Sequence, residues 1–230
     1  MIDMSIPESV RRLERDLRGI FGPRLSSLTM YGRRSAAHDG DGHHAAHGHA
    51  QTPTHTLAIV DGLSSADLRA CAARIDAWHD EGLATPLFIG LHEFAASLDA
   101  FPLEFGGIIA DHVVVYGRNP FDGLAVEPPD LRRAVEVQAR GHLLHLREGF
   151  VETRGRSDAL AVLIVDSAPA LGALLASVAR LEGPSTKGVL AEVAALAHVR
   201  EIPNAEAERL FAPYLDAVEQ LVAHVDRWAR

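Results

Sequence analysis

Cysteine is almost missing from this chain: Cys71 stands alone among 230 residues. No intrachain disulfide is possible, which fits a reducing, cytoplasmic setting. Positive charge is in deficit, with 22 Lys and Arg against 31 Asp and Glu and a net charge of -9. Such a chain does not gather nucleic acid by bulk attraction, so general nucleic-acid binding is excluded. Clean membrane-spanning character is also lacking. The most apolar stretch, ALAVLIVDSAPALGALLASVA, carries Asp166 and Pro169 in its middle. It reads as a buried helix pair or a kinked core helix, not a membrane span. The opening MIDMSIPESVRRLERDLRGIFG is charged throughout, unlike a signal peptide. No internal repeat is visible. What is present is 47% hydrophobic content, enough for a proper core.

The patterning divides the chain in two. Residues 8–21 place Val10, Leu13, Leu17, Ile20 and Phe21 on one helical face and Arg11, Arg12, Glu14 and Arg15 on the other. Pro7 suits the first turn and Gly22 the end. RLSSLTMYG predicts a short strand closed by Gly32. Residues 33–53 are a linker by composition. Leu57–Val60 predicts a buried strand, and Ser64 or Ser65 caps a helix over SADLRACAARIDAWHDEG. On that amphipathic helix Cys71 is expected to be a buried structural thiol. PLFIGL predicts a third strand, HEFAASLDAF a short helix, and His112–Tyr116 a fourth strand ended by Gly117. Residues 1–128 thus alternate helices and strands, an α/β or α+β pattern.

Pro128 and Pro129 mark the expected boundary, with Asp130 as a helix cap. Beyond it no strand signal appears. Helices are expected at about 130–153, 157–182, 186–199 and 205–229, an all-α bundle over 129–230. In the first of them Leu131, Val135, Leu143, Leu144, Leu146 and Phe150 recur at helical spacing. Trp78 and Trp228 read as packing anchors on amphipathic helices.

The order helix, strand, MYG, loop, apolar strand resembles the opening of the nucleotidyltransferase fold shared by DNA polymerase beta and kanamycin nucleotidyltransferase. FPLEF, HVVVYGRNPFDGL and LRRAVEVQARGHLLHLRE add to that resemblance, which covers most of residues 8–180 and points to a bacterial subgroup with a helical C-terminal half. The resemblance implies a small mixed sheet and a glycine turn that lets a triphosphate approach the backbone. It also implies an Asp-x-Asp pair holding divalent metal, Mg in an active enzyme, and a third carboxylate from a later strand.

Two departures stand out. The expected Gly-Ser is Gly32-Arg33, with Ser35 two residues on. The acidic pair should fall near PTHTLAIV, where Pro53, Thr54, His55, Thr56 and Leu57 stand instead. No carboxylate occurs between Asp41 and Asp61, and Asp61 opens the turn DGLSS. Asp39 and Asp41 lie in the linker. Glu104 and Asp99 are the candidates for the third acid. Arg33 and Arg34 follow the turn directly, where guanidinium forks grip phosphate. Gly32, Arg33, Arg34 and Ser35 are therefore the candidate nucleotide-binding set.

Histidines crowd the linker: His38, His43, His44, His47 and His49, with His55 soon after. Imidazole suits zinc, nickel or copper, so His43, His47, His49 and His55 are candidate ligands. A structural zinc site needs rigid spacing and a second shell. The glycine and alanine of HDGDGHHAAHGHA favour a solvated loop over such a site. His142 and His145 stand three apart in RGHLLHLRE, either at a cleft between the two halves or as a core pair.

Three readings follow. The chain is a nucleotidyltransferase fold without its metal-binding acids, binding a nucleotide, small ligand or protein partner. Alternatively, it is a working enzyme with relocated acids such as Asp39, Asp41 and Glu104. Or its helical half makes it an interaction protein, a homodimer or an antitoxin-like partner.

Overall fold

The computed structural model describes residues 6–32, 53–182 and 201–229. The expected linker at 33–53, apart from Pro53, and the expected helix at 186–199 lie outside the described residues. By contacts the chain forms two units, Met1–Val126 and Glu127–Arg230.

The first unit begins with helix α1, Glu8–Phe21, which buries Val10, Leu13, Leu17 and Phe21. Each fully buried side chain of this kind contributes about 1.5–3 kcal/mol relative to exposure. Gly22 ends the helix at φ 56°, a left-handed conformation that favours glycine. A 3₁₀ turn, Gly22–Arg24, leads into strand β1, Leu25–Tyr31. Strand β2, His55–Val60, pairs antiparallel with β1. Helices α2, Ser65–Ala72, and α3, Ile75–Asp80, follow. Then come β3, Leu87–Gly90, α4, Leu91–Ala100, α5, Pro102–Ala110, and β4, His112–Gly117. The sheet order is β3-β2-β1-β4, with β2 and β3 parallel and β4 antiparallel to β1. It is a small mixed sheet, as the sequence leads one to expect.

Alternation along each strand separates two cores. Leu28, Met30, Ala58 and Val60 join α1, Cys71 and Trp78 on one face. Leu57, Ile59 and Ile89 join Phe94, Phe105, Ile108 and Phe121 on the other. Cys71 is buried, and burial pushes its thiol up to about 11. That is the inert structural cysteine expected.

One expectation on local structure needs correction. SADLRACAARIDAWHDEG is not one helix but two, α2 and α3. The Arg74 N–H donates to the Cys71 carbonyl at 2.9 Å, tightening the chain between them. Past that turn, Arg74 and the Trp78 indole both donate to Asp16 of α1, at 2.8 and 3.0 Å. Tertiary partners thus override a continuous helical period. Helix α5 forms where no element was expected. Gly106 and Gly107 lower its intrinsic propensity, yet Phe105 and Ile108 bury against the sheet and hold it. The choice between Ser64 and Ser65 resolves to Ser64. Its hydroxyl accepts from the Asp67 N–H while Asp67 accepts from the Ser64 N–H, a reciprocal capping box.

The second unit contains α6, Pro128–Glu152, α7, Ser157–Glu182, and α8, Asn204–Asp226, packed against one another. No strand occurs among its described residues. The apolar run is one helix with Pro169 inside, not a helix pair. It is long and apolar enough to cross a membrane by composition alone, but its Leu160, Ile164, Ala168, Leu171 and Leu174 are buried. The Ser167 hydroxyl donates to the Ile164 carbonyl, so the buried Tyr214 phenol of α8 donates to Ser167, at 2.8 Å. Leu144 and Phe150 depart from the expected core set of α6. Leu131, Val135, Leu143 and Leu146 are buried, while Leu144 and Phe150 stay exposed. Adjacent Leu143 and Leu144 point about 100° apart around a helix, so one core cannot hold both.

Candidate functional site

The geometry centres on the end of the sheet where β1 stops and β2 and β4 start. Strand register sets Tyr31 opposite His55 on one side and His112 on the other. Directly opposed residues share a face, so imidazole, phenol and imidazole stand in a row. The face is that of Leu57, Phe105 and Phe121. Tyr31 and His55 rings lie 5.6 Å apart, tilted by 30°. The His112 ring meets Phe121 edge-on at 4.7 Å. His112 Nδ1 lies 3.1 Å from the carbonyls of Ile108 and Ile109. Carbonyls only accept, so Nδ1 carries a proton. Burial, and secondly the negative charge of Glu104, push the Tyr31 phenol up to about 12. It stays a neutral donor across the physiological range.

Gly32 follows at once, with φ 79°, which explains why glycine occupies it. Its N–H, however, already donates to the Asp111 carbonyl at 3.1 Å. That amide extends the antiparallel ladder between β1 and β4 by one more bond. Arg33, Arg34 and Ser35, the rest of the expected nucleotide set, lie outside the described residues. So do Asp39, Asp41, His43, His47 and His49.

At the positions where the resemblance seats two acids, the structure places other groups. Thr54 bridges to Leu83, His55 is exposed, Leu57 is buried in the core. Thr56 is buried on the opposite face beside Met30, and its Oγ1 has no partner among the described residues. The third acid is also displaced. Glu104 and Asp99 are exposed on helices α5 and α4, not on a strand. Strand β4, HVVVYG, carries no acid at all. Glu104 still lies close enough to Tyr31 for its charge to be felt there. Among the described residues no three His, Cys, Asp or Glu side chains form a group able to hold a metal ion.

His142 and His145 divide. His142 is half-buried with Nε2 unpartnered among the described residues, and burial, then the neighbouring His145, lower its pKa. His145 is exposed and bonds Glu148 at 3.1 Å. Elsewhere, a cleft of about 480 Å³ is lined by Arg15, Arg18, Gly19, Gly22, Pro23 and Tyr116. It lies at the other end of β1, far along the strand from Gly32. Its arginines are already engaged, Arg15 with Glu8 and Arg18 with Glu14 and the Tyr116 ring.

No family model matches the chain, and no curated protein matches it. Among solved structures it is similar to a spectinomycin adenyltransferase from Enterococcus faecialis, crystallised with ATP and spectinomycin. The identity is 11%, the TM-score 0.45, and the match covers 92% of this chain and 98% of that one. A likeness at that level carries no weight for residues or for activity.

The row of Tyr31, His55 and His112 was not foreseen as a unit. Only His55 was singled out from the sequence, as a metal candidate. Tyr31 lies far in sequence from both His55 and His112, and the pairing register alone joins them.

Proposed function

We propose that this end of the sheet, in a nucleotidyltransferase-like chain, binds a nucleotide or a small aromatic ligand without efficient metal-dependent transfer. The observation that carries the reading is the row itself. Where metal chemistry needs hard oxygen donors, the described residues offer two imidazoles and a phenol. The Tyr31–His55 pair gives a partly exposed ring surface of the kind on which a base stacks. Arg33 and Arg34 follow in sequence and supply the charge a phosphate requires. The sequence resemblance supports the same reading.

Calorimetric titration of tag-free, metal-stripped protein with ATP and then the other nucleoside triphosphates tests it, with and without magnesium. Binding that does not need magnesium, weakened by Arg33→Ala and by His55→Ala, is expected. Binding that appears only with magnesium would replace this reading with an active enzyme built on Asp39, Asp41 and Glu104. No binding to any triphosphate would overturn both.

A further inference from the structure

The cleft of about 480 Å³ beside the end of α1 has no carboxylate in its lining: Arg15, Arg18 and Tyr116 stand over Gly19, Gly22 and Pro23. Arg15 and Arg18 are three residues apart on α1, so both guanidiniums leave the helix on one side. The Arg18 guanidinium lies over the Tyr116 ring, 5.2 Å from its centroid, which holds that fork at the cleft wall. The Tyr116 phenol adds an O–H donor to the same wall. A Cβ at Gly19 or Gly22 would meet nothing within 4 Å, so the floor is bare backbone with room above it.

The charges around the cleft do not cancel. Arg15 pairs with Glu8 at 2.8 Å and Arg18 with Glu14 at 3.4 Å, and neither acid lines the cleft. Both arginine side chains are more than half exposed, and exposed pairs of this kind contribute little, so a better-fitting oxyanion displaces them. Arg11 stands on the same side of α1. Arg11, Arg15 and Arg18 against Glu8 and Glu14 leave three positive charges to two negative, a net +1. Guanidinium forks of this sort grip phosphate.

The floor has the opposite polarity. Helix α1 ends here, and its last carbonyls carry the negative end of the helix dipole. Pro23 has no N–H, so the Gly19 carbonyl, four residues earlier, lacks its helical donor. A bare anion matches the wall and opposes the floor. A molecule that joins a phosphate to a hydrogen-bond donor matches both.

The geometry points to a second binding site, independent of the row at the other end of the sheet: this cleft takes a small phosphate monoester that also carries an ammonium or hydroxyl group. The phosphate oxygens accept from Arg15, Arg18 and Tyr116. The ammonium or hydroxyl donates to the Gly19 carbonyl.

Calorimetric titration of the full chain with phosphoethanolamine tests this, with ethyl phosphate and ethanolamine each presenting one half of the probe. Phosphoethanolamine is expected to bind, ethyl phosphate about tenfold more weakly, and ethanolamine not at all. Arg18→Ala should weaken binding at least about tenfold. Gly19→Leu fills the floor and should abolish binding while far-UV circular dichroism keeps its helical signal, because leucine is the better helix former. Glu8→Gln and Glu14→Gln release the arginines and should tighten binding. In amide NMR the probe should move Gly19 and Gly22 and leave Tyr31, His55 and His112 unmoved, so this site and the nucleotide reading stand or fall separately. No binding of phosphoethanolamine, or binding indifferent to both Arg18→Ala and Gly19→Leu, overturns the proposal. Ethyl phosphate binding as tightly as phosphoethanolamine overturns the ligand class.

Discussion

The two units gather their notable residues in different ways. In the first, Tyr31, His55 and His112 come from three strands, and hydrogen-bond register makes them neighbours. In the second, His142 and His145 share one helix, and the three-residue spacing alone makes them neighbours. Unpartnered buried polar atoms occur in both units: the hydroxyls of Ser27 and Thr56 in the sheet and Nε2 of His142 in the helical unit have no partner among the described residues. Each unpartnered buried hydroxyl costs about 1–3 kcal/mol.

The largest test of that contrast removes apolar burial from the sheet. Leu28 is fully buried between the sheet and α1. Leu28→Ala should cost about 3 kcal/mol, since a buried leucine loses both transfer energy and packing. Urea denaturation measures it; a loss below about 1 kcal/mol would mean that the core there collapses to fill the gap. A smaller effect belongs to the corner after β2. Ser64→Ala should cost about 1 kcal/mol, whereas Ser65→Ala should leave stability within a few tenths. Equal losses at both positions would contradict the capping box. The same corner carries an ion pair: Arg24 grips Asp67 with two bonds, at 2.9 and 2.7 Å. Arg24 and Ser64 together hold the Asp67 carboxyl far below the usual carboxylate range. Its contribution is present at neutral pH and fades only in strong acid.

The helical unit should respond to mild acid instead. His142 is neutral and half-buried, and its folded pKa lies below the unfolded value of 6.5. The unfolded chain then takes up the proton first, so stability is full above pH 6.5 and falls as pH drops through the folded pKa. His142→Leu should flatten the stability profile between neutral pH and the onset of carboxylate titration. Urea midpoints at stepped pH read the slope; an unchanged slope would place the proton elsewhere. The smallest expected effect tests the sheet end. Glu104→Gln should lower the Tyr31 pKa slightly from about 12, because the carboxylate's charge is the lesser of its two causes. Ring-labelled tyrosine NMR would show it, and no movement would separate Glu104 from the row.

Local signals were legible wherever one element's own period carried them. Helix α1 runs over the residues its amphipathic pattern marks, and β1, β2, β3 and β4 fall on the predicted runs. The reading failed where distant partners decide. The helix break between α2 and α3 follows from Asp16 of α1. Helix α5 forms against its glycines because Phe105 and Ile108 have a sheet to bury on. The resemblance implies a third acid on a later strand, but its two candidates, Glu104 and Asp99, both stand on helices.

By itself, then, the sequence determined helix α1 and the four strands, that Cys71 is a core thiol, and that no acid stands between Asp41 and Asp61. Periodicity, composition and covalent order are properties of one stretch of chain, and they need no partner to be read. Tertiary structure alone decided that Tyr31, His55 and His112 form a row, that the Gly32 amide is spent on Asp111, and which of Leu143 and Leu144 meets the core. Those outcomes depend on register and on which face finds a neighbour, and a one-residue slip in either would reverse them.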